Sequence, residues 1–151
     1  YAGTLNKEDC HYPSLNARID TLQAAMLLVN FKYLGDRIAR RREIARFYTE
    51  ALRDIVECPD VGDDHIFYTY TILADQRDSL MDYLETRGVA ARIRQPLLVP
   101  QQAAYRSLPA HTPVAEDLIK RIISIPNHQD LTLEEMEYIV SCIKAFYGAL
   151  A

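Results

Sequence analysis

The spacing of apolar residues predicts two long helices in the first third of the chain. Apolar side chains recur there at steps of three and four residues, the pattern of one helical face. They are Ile19, Leu22, Met26, Val29 and Tyr33. Ser14 or Asn16 can cap this helix, Gly35 ends or bends it, and a second helix is expected from about Asp36 to Ile55. Helices of this length suggest packing on a neighbouring unit as well as on the chain's own core.

Three short apolar runs further along the chain predict β-strands. Residues 66–73 (IFYTYTIL) are rich in β-branched and aromatic side chains, and shorter runs follow at residues 89–93 and 122–125. Between the last two runs, residues 94–112 contain several prolines and read as a loop. A proline then begins a helix over residues 113–121, since proline is favoured in a first helical turn.

Two further amphipathic segments predict helices in the second half of the chain. The first spans residues 75–87, with Asp75 as its cap and Gly88 closing it. The second begins after Thr132, where Glu135 completes a capping box three residues later. Its apolar stripe consists of Met136, Ile139, Val140, Ile143 and Phe146.

This order of elements predicts an α+β fold. A small three-stranded sheet covered by helices on one face buries all three apolar runs, and long helices link into it. We therefore expect two parts. Residues 1–57 form an N-terminal loop and long linking helices suited to dimer contacts, and residues 58–151 form a small α+β domain.

Composition and charge narrow the function classes. The chain has 151 residues, 17 basic and 21 acidic, for a formal net charge of −4, and its pI is near 5.5. This balance argues against nucleic-acid binding, whose proteins usually carry a basic face. The basic cluster of the predicted second helix is either an ion-paired, solvated face or a surface for phosphate backbones. It consists of Arg37, Arg40, Arg41, Arg42 and Arg46.

Cysteine usage and hydropathy exclude several other classes. The cysteines Cys10, Cys58 and Cys142 are far apart and odd in number, so neither a disulfide framework nor a zinc-like spacing is indicated. No apolar run approaches the ~20 residues of a membrane helix, and no leader is visible at Tyr1. We expect a soluble, cytoplasmic domain without membrane contact, and a chain that begins at Tyr1 can be a piece of a longer protein.

The chain shows no complete active site by its motifs alone. Its glycines are isolated, so no phosphate-binding glycine loop is present, and no Ser-His-Asp set is suggested. The lysines Lys7, Lys32, Lys120 and Lys144 stand in ordinary contexts. Two interpretations remain open at this point: a binding or structural domain, or a chain that supplies part of a site completed elsewhere.

Three segments in order resemble one enzyme family. Residues 16–25 (NARIDTLQAA) resemble an N-x-R-x-D-x-x-Q-A-A segment, and residues 41–52 (RREIARFYTEAL) an R-R-x-I-A-x-x-Y-x-x-x-L helix. Residues 123–132 (ISIPNHQDLT) resemble an L-S-L-P-x-H-P-x-L-T stretch, with Gln129 in place of proline. Together they resemble the DegT/DnrJ/EryC1/StrS family of pyridoxal-phosphate-dependent aminotransferases, which act on nucleotide-linked keto-sugars.

The resemblance implies a specific role for this chain. It would be the C-terminal part of such an enzyme, with the Schiff-base lysine on a large domain upstream, so the chain alone should not transaminate. Family members bind the cofactor phosphate across a homodimer, which assigns Asn16 and then Arg18 to the phosphate of pyridoxal 5′-phosphate. A helix N-terminus and an arginine also suit a phosphate physically. The implied partners are a nucleotide-linked keto-sugar and an amino-acid donor, glutamate.

The loop after the second predicted strand departs from the family pattern. The family often has a Tyr-Pro and a Pro-Leu-His near the sugar, and residues 92–101 (RIRQPLLVPQ) contain neither the tyrosine nor the histidine. Arg92, Arg94 and Gln95 are candidates for a nucleotide diphosphate or an acidic substrate. His65 stands where the family often has a histidine and is a further substrate candidate. The alternative function is a non-catalytic dimerisation or partner-binding domain.

Overall fold

The computed structural model describes residue 9 and residues 19–149, and within this part of the chain five α-helices accompany a two-stranded sheet. The fold is α+β, as expected. The elements are α1 (Thr21–Phe31), α2 (Leu34–Leu52), β1 (Tyr70–Leu73), α3 (Arg77–Glu85), α4 (Pro113–Leu118), β2 (Ile122–Ile125) and α5 (Leu133–Gly148), with a 3₁₀ turn at Val99–Gln101.

The predicted three-stranded sheet is wrong for the described residues. β1 and β2 pair antiparallel, with Tyr70 opposite Ile125. The third predicted strand contributes one bridge, in which the backbones of Arg92 and Ser124 exchange hydrogen bonds of 2.9 and 2.8 Å. Its ladder goes no further among the described residues, and the amide of Ala91 donates to the carbonyl of Val89 in a tight turn. That amide is therefore used within its own segment rather than in the sheet.

Element boundaries also differ from those expected. β1 begins at Tyr70 rather than residue 66, because Phe67 has a left-handed backbone with φ of 46°. α3 is preceded by Gln76, also left-handed, so Asp75 is not its cap. A turn at Lys32 and Tyr33 separates α1 from α2. Gly35 does not end the first helix but lies in the first turn of α2.

The core joins the second half of α2 to the sheet, α3 and α5. Ile44, Tyr48 and Leu52 of α2 are fully buried, and the hydroxyl of Tyr48 donates to the carbonyl of Pro126 at 3.1 Å. The predicted stripe of α5 is buried along its whole length. The capping box is confirmed, since the Glu135 amide donates to Thr132 Oγ1 at 3.2 Å and the Thr132 amide to Glu135 Oε2 at 2.9 Å.

The first helix differs from the others because it buries no residue against the described chain. Its large apolar side chains face outward, Leu22 being 73% exposed and Phe31 72%. The others are Met26, Leu27, Leu28 and Val29, and Ile19 is exposed just before the helix. Among the described helices, none has the length and apolar composition to cross a membrane.

Candidate functional site

A groove of about 640 Å³ lies where the segment after α3, the end of β2 and the start of α5 meet. One wall is residues 88–94, and the facing wall belongs to the first turns of α5. The polar side chains that line it come from elements distant in sequence: Arg41, Tyr68, Arg92, Arg94, Asn127, His128, Glu134, Glu135 and Tyr138. The groove therefore combines guanidinium groups, carboxylates, an amide and phenol rings on one surface.

Arg41 connects the segments of the chain that carry the groove residues. Its Nη1 atom lies 2.8 Å from the carbonyl oxygen of Tyr68, 2.7 Å from that of Asn127 and 3.3 Å from that of Phe67. The Asn127 side-chain Nδ2 donates to the same Phe67 carbonyl at 3.0 Å. These bonds tie α2 to both loops that carry groove residues, and they fix Phe67 in its left-handed conformation.

Asn127 is the most buried side chain of this set, at 8% exposure. Its Nδ2 atom is engaged with Phe67, so the orientation of the amide is set. Its Oδ1 atom is buried and finds no hydrogen-bonding partner among the residues that the structure describes. Such an acceptor destabilises the fold by about 1–3 kcal/mol. Asn127 is therefore a position where packing alone would favour a different side chain.

The remaining arginines of α2 are also engaged with the chain. Arg40 donates to the carbonyl of Leu131 at 2.8 Å and pairs with Glu43, while Arg42 donates to the carbonyls of His65 and Asp63. Arg46 pairs with the Asp63 carboxylate at 3.1 Å. Within the described chain, two arginines of the cluster, Arg40 and Arg46, are therefore ion-paired, and the other three donate to neutral amide or carbonyl oxygens.

Arg92 and Arg94 behave differently from these structural arginines. Both line the groove, and neither side chain makes a hydrogen bond or ion pair with any described residue. The guanidinium carbon of Arg94 lies 5.9 Å from the centroid of the Tyr68 ring, and that of Arg41 lies at the same distance. At this distance the two guanidinium groups lie near the limit of a cation–π interaction with the ring.

The other predicted substrate residues lie outside the groove lining. His65 turns its Nδ1 atom toward its own chain and accepts from the amide of Phe67 at 2.8 Å, with the two rings 4.1 Å apart. This contact places the imidazole proton on Nε2 if the ring is neutral. Gln95 is exposed and follows Arg94 directly, but it is not among the lining residues.

The two predicted cofactor residues, Asn16 and Arg18, lie outside the described residues. The described part of α1 begins at Thr21, and the Asp20 amide donates to Gln23 Oε1 at 3.3 Å. Asp20 is thus the N-cap of α1, in place of the Ser14 or Asn16 that the sequence suggested. No lysine of the described chain lines the groove, and no three metal-ligating side chains cluster within it.

Sequence reasoning missed Arg41, Tyr68 and Asn127 as groove residues. Tyr68 was visible only as part of a predicted strand, and Asn127 only as part of the stretch that resembles the family. No local signal marks them, because the contacts of Arg41 join residues 27 and 86 positions apart. Tyr138 was likewise an unremarked position on the exposed face of a helix.

The described residues thus form an α+β domain with an open, polar groove. The family model described as the DegT/DnrJ/EryC1/StrS aminotransferase family matches residues 3–144. The chain belongs to that family.

Individual relatives agree with this assignment. A pleiotropic regulatory protein of Geobacillus stearothermophilus is 36% identical over 150 residues, covering 93% of this chain and 40% of the relative. A dTDP-3-amino-3,6-dideoxy-alpha-D-galactopyranose transaminase of Aneurinibacillus thermoaerophilus is 28% identical, covering 95% and 41%. The crystal structure of a family aminotransferase from Brucella abortus superposes with a TM-score of 0.82 at 32% identity, covering 97% of this chain and 41% of that one. The chain thus spans about 40% of the length of the relatives it matches.

Proposed function

We propose that this chain is the C-terminal portion of a pyridoxal-phosphate-dependent aminotransferase that acts on a nucleotide-linked keto-sugar. The observation that carries the proposal is the family match over residues 3–144, combined with the 40% share of each relative that the chain covers. The transaminase relative is named for a nucleotide-linked amino sugar, which supports the substrate class. The Schiff-base lysine would belong to the rest of the protein.

The chain's own residues would bind and orient rather than react. Asn16 and Arg18, assigned by resemblance, would hold the phosphate of the coenzyme, which supplies an electron sink for the transfer of the amino group. Arg92 and Arg94 would take the negative charge of the substrate on the groove wall. Gln95 and His65 remain candidates for contacts with the sugar in the assembled enzyme, although neither lines the groove in the chain described here.

The first helix supports a further element of the proposal, a homodimer with shared active sites. α1 leaves six large apolar side chains exposed, and a monomeric protein rarely exposes an apolar patch of that kind without a partner. In the whole enzyme this helix would be covered by the rest of the protein and by the sister protomer. The arrangement would bring Asn16 and Arg18 close to the coenzyme of that protomer.

The test is expression of this chain together with the coding sequence that precedes Tyr1. The whole protein should be yellow, should lose its colour on borohydride treatment, and should release 2-oxoglutarate from glutamate when given a nucleotide-linked keto-sugar. Asn16→Ala and Arg18→Ala should weaken coenzyme binding, while Arg53→Ala, a change at an exposed arginine outside the groove, should not. A whole protein that binds no coenzyme and still self-associates would support the alternative, a non-catalytic dimerisation domain.

A further inference from the structure

We propose that His65 is a pH-sensitive latch for residues 63–68, the segment between α2 and β1 that carries Tyr68 to the groove. While its imidazole is neutral, the segment is held in the conformation described above, and a proton on the ring releases it. The inference concerns the chain itself and needs neither a coenzyme nor a substrate. It therefore stands or fails independently of the proposed function.

Phe67 adopts a backbone conformation that a bulky residue does not favour by itself. Its φ is 46°, in the left-handed region, and its side chain is fully buried. Such a conformation persists only where neighbouring groups hold it. The Phe67 carbonyl is held by Arg41 Nη1 at 3.3 Å and by Asn127 Nδ2 at 3.0 Å. One of the two polar groups of this backbone is therefore fixed by other elements of the fold.

The other polar group, the Phe67 amide, depends on His65. It donates to His65 Nδ1 at 2.8 Å, and it donates to no backbone carbonyl of the described residues. An imidazole nitrogen accepts only while it carries no proton, because both nitrogens of the charged ring are donors. Protonation at Nδ1 would therefore set one N–H against another. Since Phe67 is fully buried, its amide would lose its acceptor without gaining water unless the segment moved.

The charged groups around His65 come from α2 and from its own segment. Arg42 of α2 donates to the carbonyls of His65, at 2.9 Å, and of Asp63. Arg46 of α2 pairs with the Asp63 carboxylate at 3.1 Å, and the carboxylate of Asp64 precedes the imidazole directly in the chain. None of these bonds uses an imidazole nitrogen. A proton on the ring therefore acts on the Phe67 amide alone and leaves the start of the segment attached to α2.

The imidazole is also placed where the solvent can reach it. His65 is exposed, although one face of its ring lies near the Phe67 ring, with centroids 4.1 Å apart. The next residue after Phe67 is Tyr68, which lines the groove and whose carbonyl accepts from Arg41. Release of the Phe67 amide would thus loosen Tyr68 as well. The latch would make one wall of the groove respond to pH.

The experiment measures hydrogen exchange of the Phe67 amide by NMR in the 151-residue chain at pH 7.5 and pH 5, a range in which histidine is the side chain that ordinarily changes charge. After correction for the intrinsic pH dependence of exchange, protection of this amide should fall about two- to tenfold at pH 5, as expected for one net hydrogen bond. His65→Asn places an acceptor that does not titrate the same number of bonds from the backbone, and it should keep the protection at both pH values. His65→Ala should lack that protection at both.

His111→Asn is the matched control, because His111 is an exposed histidine outside the segment. This variant should show the same fall in protection of the Phe67 amide as the unmodified chain. Equal protection at the two pH values in the unmodified chain, or an equal fall in His65→Asn, would overturn the latch. The first of these results needs no variant, so the proposal can be refuted even if a substitution prevents folding. Neither result involves the coenzyme or the substrate, and the proposed function would stand.

Discussion

Replacing Arg41 with alanine should destabilise the chain more than any other exposed or half-buried arginine. The Arg41 guanidinium contacts the carbonyl oxygens of Phe67, Tyr68 and Asn127. A net hydrogen bond to a charged donor contributes about 1.5–3 kcal/mol. Arg41 is only half-buried, so water can replace part of what is lost. We therefore expect a total loss of about 2–3 kcal/mol in the free energy of unfolding, rather than the sum of three full bonds.

The measurement is urea unfolding followed by circular dichroism and tyrosine fluorescence, because the chain contains no tryptophan. With a slope of about 2 kcal/mol per molar urea, the midpoint should fall by about 1 M. The midpoint of Arg41→Lys should lie between those of the unmodified chain and Arg41→Ala, since an ammonium keeps the charge but lacks the planar fork. Arg53→Ala should change the free energy of unfolding by no more than about 0.5 kcal/mol.

Equal midpoints for Arg41→Ala and Arg53→Ala would refute the reasoning. That result would mean that the loops of residues 63–68 and 126–131 are held by the buried side chains of Phe67 and Leu131 alone.

Three further predictions concern the fold. Gly88→Ala should lower the free energy of unfolding by about 1–2 kcal/mol, because Gly88 has a φ of +73°. Gly148→Ala is equally free of steric contact and should be neutral or stabilising. The urea midpoints of the two variants test this difference. Thr132→Ala should lower the free energy of unfolding by about 1 kcal/mol through loss of the α5 cap, whereas Thr132→Ser should keep the cap. Equal melting temperatures for these two variants would contradict this. Burial raises the pKa of Tyr48 and Tyr70, so folding favours their neutral forms. Stability is then fully present below the unfolded-state pKa of about 10 and is lost as pH rises beyond it, and tyrosinate absorbance should rise together with unfolding rather than before it.

Elements with purely local signals were predictable from the sequence. The capping box of Thr132 and Glu135 and the apolar stripe after it are encoded within one segment, and the structure has both. β2 spans Ile122–Ile125 as predicted, since Pro126 ends it. The third strand was not predictable, because residues 89–91 form a tight turn and only Arg92 bridges to β2. Both conformations suit the same short apolar run.

The candidate site was predictable in part. Arg92 and Arg94 were identified from their position in the loop, and both line the groove. Their availability could not be foreseen, since it depends on which acidic and carbonyl oxygens the fold brings to the other arginines. Arg41 appeared in the sequence as one member of a basic cluster. Only the fold places it against three carbonyl oxygens.

The division of the arginines into two groups links the fold to the proposed function. Those on α2 donate mostly to loop carbonyls, an arrangement that fixes backbone far from any regular hydrogen-bond ladder. A guanidinium suits that task because its donors are spread over a rigid plane. The two on the groove wall, Arg92 and Arg94, are exposed and have no acceptor in the described chain. Their donors are therefore not used by the fold, which is what the proposed function requires of residues that meet a negatively charged ligand.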